Sequence, residues 1–300
     1  MKRISLIGKF AFNDAQLNRL KSIGTVTNHE VPDSSEGWSK ISEESDVIIS
    51  NGDGLLESIY SLKDVFVTYP FIELGNFDSK KLAENNVIIA NTQGSNRDSI
   101  IEWIVYMTLS LFRKFPSMVR VKNDIPLEFN QSLVGKTALV VGKGSIGIKT
   151  GEVLKALGMN VDYFGRGDDL VQKGKEADLV VDCLNCNSTS ENLLDEKFFS
   201  SMKPGSYFVT FARPFTYDID GLIKAISAGI VAGAAIDCDP ESPGDTANAF
   251  YNKALSAEKI LVTPHIAFAT EQAKRNGAET VIRNVEAYAA GKWINVVVKK

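Results

Sequence analysis

Short apolar runs broken by polar turns set the rhythm of this chain. Ile4–Ile7 is a short apolar strand, and Gly24–Asn28, Asp46–Ser50, Val65–Thr68 and Val87–Ala90 read as further strands. Ala15–Ile23 has helical spacing, and Pro32–Gly37 reads as a polar separator. Strand alternating with helix predicts a small parallel α/β domain for this first third. Asp98 then reads as the cap of a helix over Ser99–Lys114, apolar almost all round and ended or bent by Pro116. A helix of that kind is expected to be buried between domains or between subunits. Asn123–Leu133 reads as a connection. The alternation resumes with strands at Ala138–Val141, Val161–Phe164, Leu179–Val181, Tyr207–Phe211, Val231–Ile236 and Ile260–Thr263. Helices are expected at Ile148–Leu157, Glu196–Met202 and Ile219–Ala228. A long helix, Glu271–Ala289, and a last strand, Ile294–Val298, close the chain.

One unit of this pattern carries a chemical signature. Gly142-Lys143-Gly144-Ser145-Ile146-Gly147 follows an apolar strand directly and opens a helix. In that context the three glycines form a dinucleotide-binding fingerprint. Gly142 permits the tight turn, Gly144 lets backbone approach a diphosphate, and Gly147 lets the helix lie close. The helix N-terminus then offers N–H groups and a positive dipole end to the anion.

The place after the next strand normally chooses the cofactor. An acidic residue there accepts from the ribose 2′-hydroxyl of NAD. Here it holds Gly165, followed by Arg166. Gly165 removes the charge that would repel a 2′-phosphate, and Arg166 supplies a forked donor for one. That favours NADP, with NAD kept open by Asp168 and Asp169 just beyond. The plain alternative for Arg166 is a solvated loop cation.

Composition narrows the class without changing it. Three hundred residues, 44% hydrophobic and 23% charged, suit two modest domains. A net charge of −4 gives no reason to expect nucleic acid or an anionic membrane as partner. The opening MKRISLIGKF is too short in apolar residues for a signal-peptide core, and Ile100–Phe112 contains Glu102. A cytoplasmic chain is the expectation. The three cysteines make no disulfide framework, and Cys183-Leu184-Asn185-Cys186 reads as a loop after a strand. No metal-ligand spacing is visible.

Histidine is scarce, so its two positions are informative. His29 lies in a polar segment and reads as a surface residue, whereas His265 follows Ile260–Thr263 through Pro264. That places an imidazole at the carboxyl end of a strand, where parallel sheets bind ligands. It can serve as general acid or base, or be a hydrogen-bonded structural histidine. Arg213 follows Tyr207–Phe211 on the same expected edge. It either grips a carboxylate bidentately or makes a loop salt bridge. Asp237 ends Val231–Ile236 and either holds the nicotinamide carboxamide or ribose, or caps a turn. Asn91–Asn96 is a donor-rich loop at the end of another strand.

At these residues the sequence resembles the D-isomer-specific 2-hydroxyacid dehydrogenases, which include phosphoglycerate, glycerate and D-lactate dehydrogenases and glyoxylate/hydroxypyruvate reductases. The likeness runs through Asp46-Val47-Ile48, Asn91–Glu102, the fingerprint, Phe198–Gly205 and Ala212-Arg213. It continues through Gly233–Asp237 to Val262-Thr263-Pro264-His265-Ile266. The resemblance implies two Rossmann-like, doubly wound parallel-sheet domains with a cleft between them. It assigns 1–96 plus 271–300 to the substrate and 97–270 to the dinucleotide. It implies a homodimer, with a small 2-keto or 2-hydroxy acid as substrate. Arg213 matches the arginine that grips the substrate carboxylate, and His265 the histidine that protonates the keto oxygen. Ser145 and Ile146 match diphosphate donors. Cys183, Leu184, Asn185, Phe211, Ala212 and Asp237 match the nicotinamide half. Backbone around Phe71, Ile72, Glu73 and Leu74, with Ser95 and Asn96, matches the rest of the substrate site.

Three departures accompany the match. The family's glutamate, which pairs with the histidine, stands immediately before a proline; here Ser242 precedes Pro243 and Glu241 lies one residue earlier. Pro214 follows Arg213 where glycine is usual, and Tyr69–Leu74 replaces a glycine-containing loop. Either Glu241 reaches His265 through a shifted loop and substitutes for the family's glutamate, or the proton donor is weaker at neutral pH. An NAD(P)-binding regulatory protein of the same fold with weak or no turnover is the alternative.

Overall fold

In the computed structural model, which describes residues 1–72, 77–115, 129–238 and 243–298, most strands fall where short apolar runs stand. They are β1 (Lys2–Ile7), β2 (Gly24–His29), β3 (Val47–Ser50), β4 (Phe66–Thr68), β5 (Ile88–Ala90) and β6 (Thr137–Val141). Then come β7 (Asn160–Phe164), β8 (Leu179–Asp182), β9 (Ser206–Thr210), β10 (Val231–Asp237), β11 (Ile260–Thr263) and β12 (Val296–Val298). The helices are α1 (Asp14–Ile23), α2 (Ser35–Glu43), α3 (Leu55–Ser58), α4 (Ser79–Glu84), α5 (Arg97–Phe112) and α6 (Ser145–Ala156). They continue with α7 (Leu170–Glu176), α8 (Glu196–Ser201), α9 (Ile219–Ser227), α10 (Ala249–Ser256) and α11 (Glu271–Ala289).

Two compact units result, 1–96 with 270–300 and 97–269. The first unit's sheet has the order β2-β1-β3-β4-β5-β12, parallel except for β12, which runs antiparallel to β5. The second unit's sheet is wholly parallel, β7-β6-β8-β9-β10-β11. Both are doubly wound sheets in which the order reverses beside the first strand, and that reversal opens a crevice at the carboxyl edge.

The second sheet shows why the strands read as continuous apolar runs. Leu139, Val141, Val180 and Phe208 enter the core on one face, whereas Ala138, Val140, Val181 and Val209 enter it on the other. Helices cover both faces, so both residue sets must be apolar. Helix α5 supplies part of one cover through Ile100, Trp103, Ile104, Met107, Leu111 and Phe112. Its burial is therefore largely against its own unit's sheet, while Tyr106 and Leu109 stay exposed.

Several local expectations are corrected. Helix α5 starts at Arg97, so Asp98 lies in its first turn, where its charge meets the helix dipole instead of capping it. Pro32–Gly37 is not a plain separator. Ser34 accepts from the Gly37 N–H and opens α2, whose Trp38 is fully buried. Helix α6 begins at Ser145, with Gly147 inside it. Pro116 and most of Asn123–Leu133 lie outside the described residues.

Candidate active site

The glycine turn is built from three different constraints. Gly142 has φ +111°, and a Cβ there would lie 2.6 Å from the Cys183 carbonyl oxygen. A Cβ on Gly147 would lie 2.0 Å from the Gly142 carbonyl oxygen, so the first turn of α6 sits directly on the loop. Gly144 differs, because a Cβ there would meet nothing within 4 Å. It is the N-cap of α6 and provides no side-chain hydrogen bond to the first turn. The Ser145 and Ile146 end thus offers uncapped backbone donors beside open space, which fits a diphosphate.

The cofactor-selecting corner follows β7. The Gly165 N–H donates to Asp168 Oδ2 at 2.8 Å. Lys173 lies 3.6 Å from Asp168 and 2.6 Å from Asp162, and holds the Asp162 carboxyl below its ordinary value against the opposing effect of burial. A Cβ on Gly165 would lie 3.2 Å from Lys143 Nζ. An ammonium therefore stands where an NAD-selecting carboxylate would begin, and Arg166 is exposed beside it. Sequence reasoning missed Lys143. The signal was available, because β6 and β7 must be neighbours in such a unit, which brings the turn's lysine to the end of β7.

At the ends of β8 and β9 a buried carboxylate organises the loops. Asp182 is wholly buried, and its Oδ1 accepts from the Leu184 N–H at 3.0 Å. Its Oδ2 lies 3.1 Å from Thr210 Oγ1 and 2.8 Å from Thr216 Oγ1. Burial pushes its pKa up to about 6, against the lowering effect of these bonds. Cys183 is also buried, which raises its thiol well above the ordinary value; neither it nor exposed Cys186 is in a disulfide. The Ala212 N–H donates to Thr210 Oγ1 at 3.0 Å. Phe211 is half-buried and Arg213 exposed. The Arg213 carbonyl accepts from the Thr216 N–H at 3.0 Å. Nothing in a string of apolar strands flagged Asp182 except the carboxylate itself, placed where a neutral residue would continue the run.

His265 sits on a turn that Asp237 pins. Asp237 Oδ1 accepts from the Thr263 hydroxyl and from the Ile266 N–H at 2.9 Å, and Oδ2 accepts from the Ala267 N–H at 2.8 Å. Burial raises the Asp237 pKa, while these bonds and nearby His265 oppose the rise. His265 itself has φ +55°, an uncommon conformation for a non-glycine residue, and its ring meets Phe268 edge-on at 5.3 Å. The Pro264 carbonyl accepts from the Gly244 N–H at 2.7 Å, which ties in the segment after Pro243. Glu241 and Ser242, like Glu73 and Leu74, lie outside the described residues.

The other expected substrate residues belong to the first unit. The Phe71 carbonyl accepts from the Thr92 N–H at 3.0 Å, and the Ile72 carbonyl from Asn91 Nδ2 at 2.7 Å. The Ser95 carbonyl accepts from Asn276 Nδ2 at 3.1 Å. The loops after β4 and β5 are thus joined at the carboxyl edge of one sheet, with Asn96 at the end of the second loop.

A family model described as D-isomer specific 2-hydroxyacid dehydrogenase, NAD binding domain, matches residues 105–267. A D-lactate/D-glycerate dehydrogenase of Pediococcus acidilactici is 30% identical over 243 residues, 71% of this chain and 72% of that protein. A glyoxylate reductase of Thermococcus litoralis is 28% identical over 263 residues, 79% of this chain and 77% of that one. Among solved structures, a D-lactate dehydrogenase of Treponema pallidum shares the fold with a TM-score of 0.78 at 18% identity, covering 98% of this chain and 99% of that one. The chain belongs to the D-isomer specific 2-hydroxyacid dehydrogenases, enzymes with an NAD(P)-binding domain. A regulatory protein without turnover finds no support in these relatives.

Proposed function

We propose that the enzyme reduces a small 2-keto acid to the D-2-hydroxy acid with NADPH. The observation that carries this reading is the placing of Arg213 and His265. They follow β9 and β11, the two strands flanking β10, on the carboxyl edge of the sheet that also bears the glycine turn. Arg213 is the anchor for the substrate carboxylate and polarises the adjacent carbonyl. His265 gives its proton to the keto oxygen in reduction and takes one from the hydroxyl in oxidation. When bound, the reduced nicotinamide supplies the hydride that the carbonyl carbon receives. Asp237 fixes the His265 turn, and Cys183, Leu184, Asn185, Phe211 and Ala212 line the nicotinamide side.

The diphosphate is held by the Ser145 and Ile146 end of α6. Lys143 and Arg166 favour a 2′-phosphate over the bare ribose, and Gly165 leaves room for it. The names of the relatives support lactate-, glycerate- or glyoxylate-sized acids as the substrate class. Phe71, Ile72, Ser95 and Asn96 are assigned to the substrate, and Glu241 to His265, by family resemblance alone. A panel of glyoxylate, hydroxypyruvate and pyruvate, run with NADPH and NADH in parallel, tests the reading. Keto-acid-dependent oxidation that prefers NADPH supports it. Equal use of both nucleotides removes the cofactor assignment, and no turnover with any acid removes the whole.

A further inference from the structure

The Asp182 network contains one hydrogen too few. Thr216 Oγ1 lies 2.8 Å from Asp182 Oδ2 and 3.1 Å from the Arg213 carbonyl oxygen. Its single hydroxyl hydrogen can serve only one of them. Thr210 leaves no slack, because its oxygen already accepts from Ala212 and its hydrogen faces Asp182. When Asp182 is ionised it can only accept, so the Thr216 hydrogen turns to the charge, a charge-assisted bond. When Asp182 is protonated it donates to Thr216 Oγ1, and the freed hydrogen turns to the Arg213 carbonyl.

We propose that Asp182 is a positioning residue for Arg213, acting through Thr216, and that its proton sets how firmly the Arg213 turn is held. This rests on Arg213 being the substrate anchor. The segments around the carboxylate narrow the cause of any pH effect. Strands β6 and β8 pair Val141 with Asp182, and β9 pairs Thr210 with it; neither neighbour titrates. The adjoining loops bring the Cys183 thiol, which burial keeps neutral, and Arg213 itself. On ionisation the Arg213 turn loses the bond from the Thr216 hydroxyl. Substrate affinity therefore falls as pH rises through the Asp182 titration near 6.

The test is the dissociation constant of oxamate, an unreactive keto-acid analogue, for the NADPH complex between about pH 5 and pH 8. Wild type should weaken by about fivefold across that range, the size of one modest hydrogen bond. A His265→Gln background should retain this step. Asp182→Asn, which mimics the protonated acid, should stay at the low-pH affinity throughout. Thr216→Val, which removes only the hydroxyl, should also abolish the step while binding NADPH normally. A step that persists in either nucleotide-binding variant overturns the proposal. Arg213→Ala separates the two claims. If it binds oxamate as wild type does, the anchor assignment fails. If it does not, and Asp182→Asn keeps the step, only the role of Asp182 fails.

Discussion

The carboxylate of Asp237 holds the backbone N–H of Ala267 at 2.8 Å, from one strand to the turn beyond the next. With the Ile266 N–H on its other oxygen, it fixes both sides of the segment that follows His265. The imidazole therefore rides on a turn whose shape is set by a buried acid. Asp237→Ala would strand two backbone donors in a buried site, at a cost of about 3 kcal/mol. Chemical denaturation should show that loss, and the residual folded enzyme should lose turnover more than nucleotide affinity. Unchanged turnover per folded molecule would remove the positioning role.

Arg213→Lys should raise KM for the keto acid by about tenfold or more, because an ammonium cannot reproduce the guanidinium fork. NADPH affinity, measured by fluorescence of the reduced nicotinamide, should stay within about twofold of wild type. A matching loss of nucleotide affinity would place Arg213 on the cofactor instead.

Cofactor preference should answer to two cations. Lys143→Ala and Arg166→Ala should each weaken NADPH by about tenfold, roughly 1.4 kcal/mol, and leave NADH nearly unchanged. The reverse change, Gly165→Asp, should favour NADH, by returning an anion beside Lys143. Titration of both nucleotides against each variant checks this, and a Lys143 variant with unaltered preference would assign the choice to Arg166 alone.

Asp182 should also leave a mark on stability. Its carboxyl loses its proton near pH 3.8 when unfolded but near 6 in the folded protein. Between those values the folded state holds the extra proton, so this group's stabilising contribution is complete below the lower value. It is lost as pH rises through the upper one, by roughly 3 kcal/mol in all. Asp182→Asn should lack that decline. Urea unfolding of both proteins from about pH 4 to pH 7 measures it, and parallel curves would show that Asp182 does not titrate in this range.

How much of this was visible in the sequence depends on how residues announce themselves. A buried parallel strand must be apolar on both faces, so runs such as Ala138–Val141 and Tyr207–Phe211 were legible. The glycine turn was legible too, because no residue with a Cβ fits at Gly142 or Gly147. Helix α2 was not, since its buried face comes down to Trp38 and Ile41 in a polar stretch. Arg213 and His265 could be placed on one edge because each follows a recognisable strand. Lys143 and Asp182 escaped because their meaning lies across the sheet, with Gly165 in one case and with Thr210 and Thr216 in the other. Spacing along the chain does not encode such pairings until the strand order is known.

The most direct measurement combines nucleotide binding with product chirality. Wild type and His265→Gln would be mixed with NADPH and pyruvate, the loss of reduced nicotinamide followed, and the lactate resolved into enantiomers. Wild type should consume NADPH and form D-lactate. His265→Gln should bind NADPH equally well and turn over about a thousandfold more slowly. L-lactate as product, or a His265→Gln enzyme as fast as wild type, would contradict the proposed chemistry.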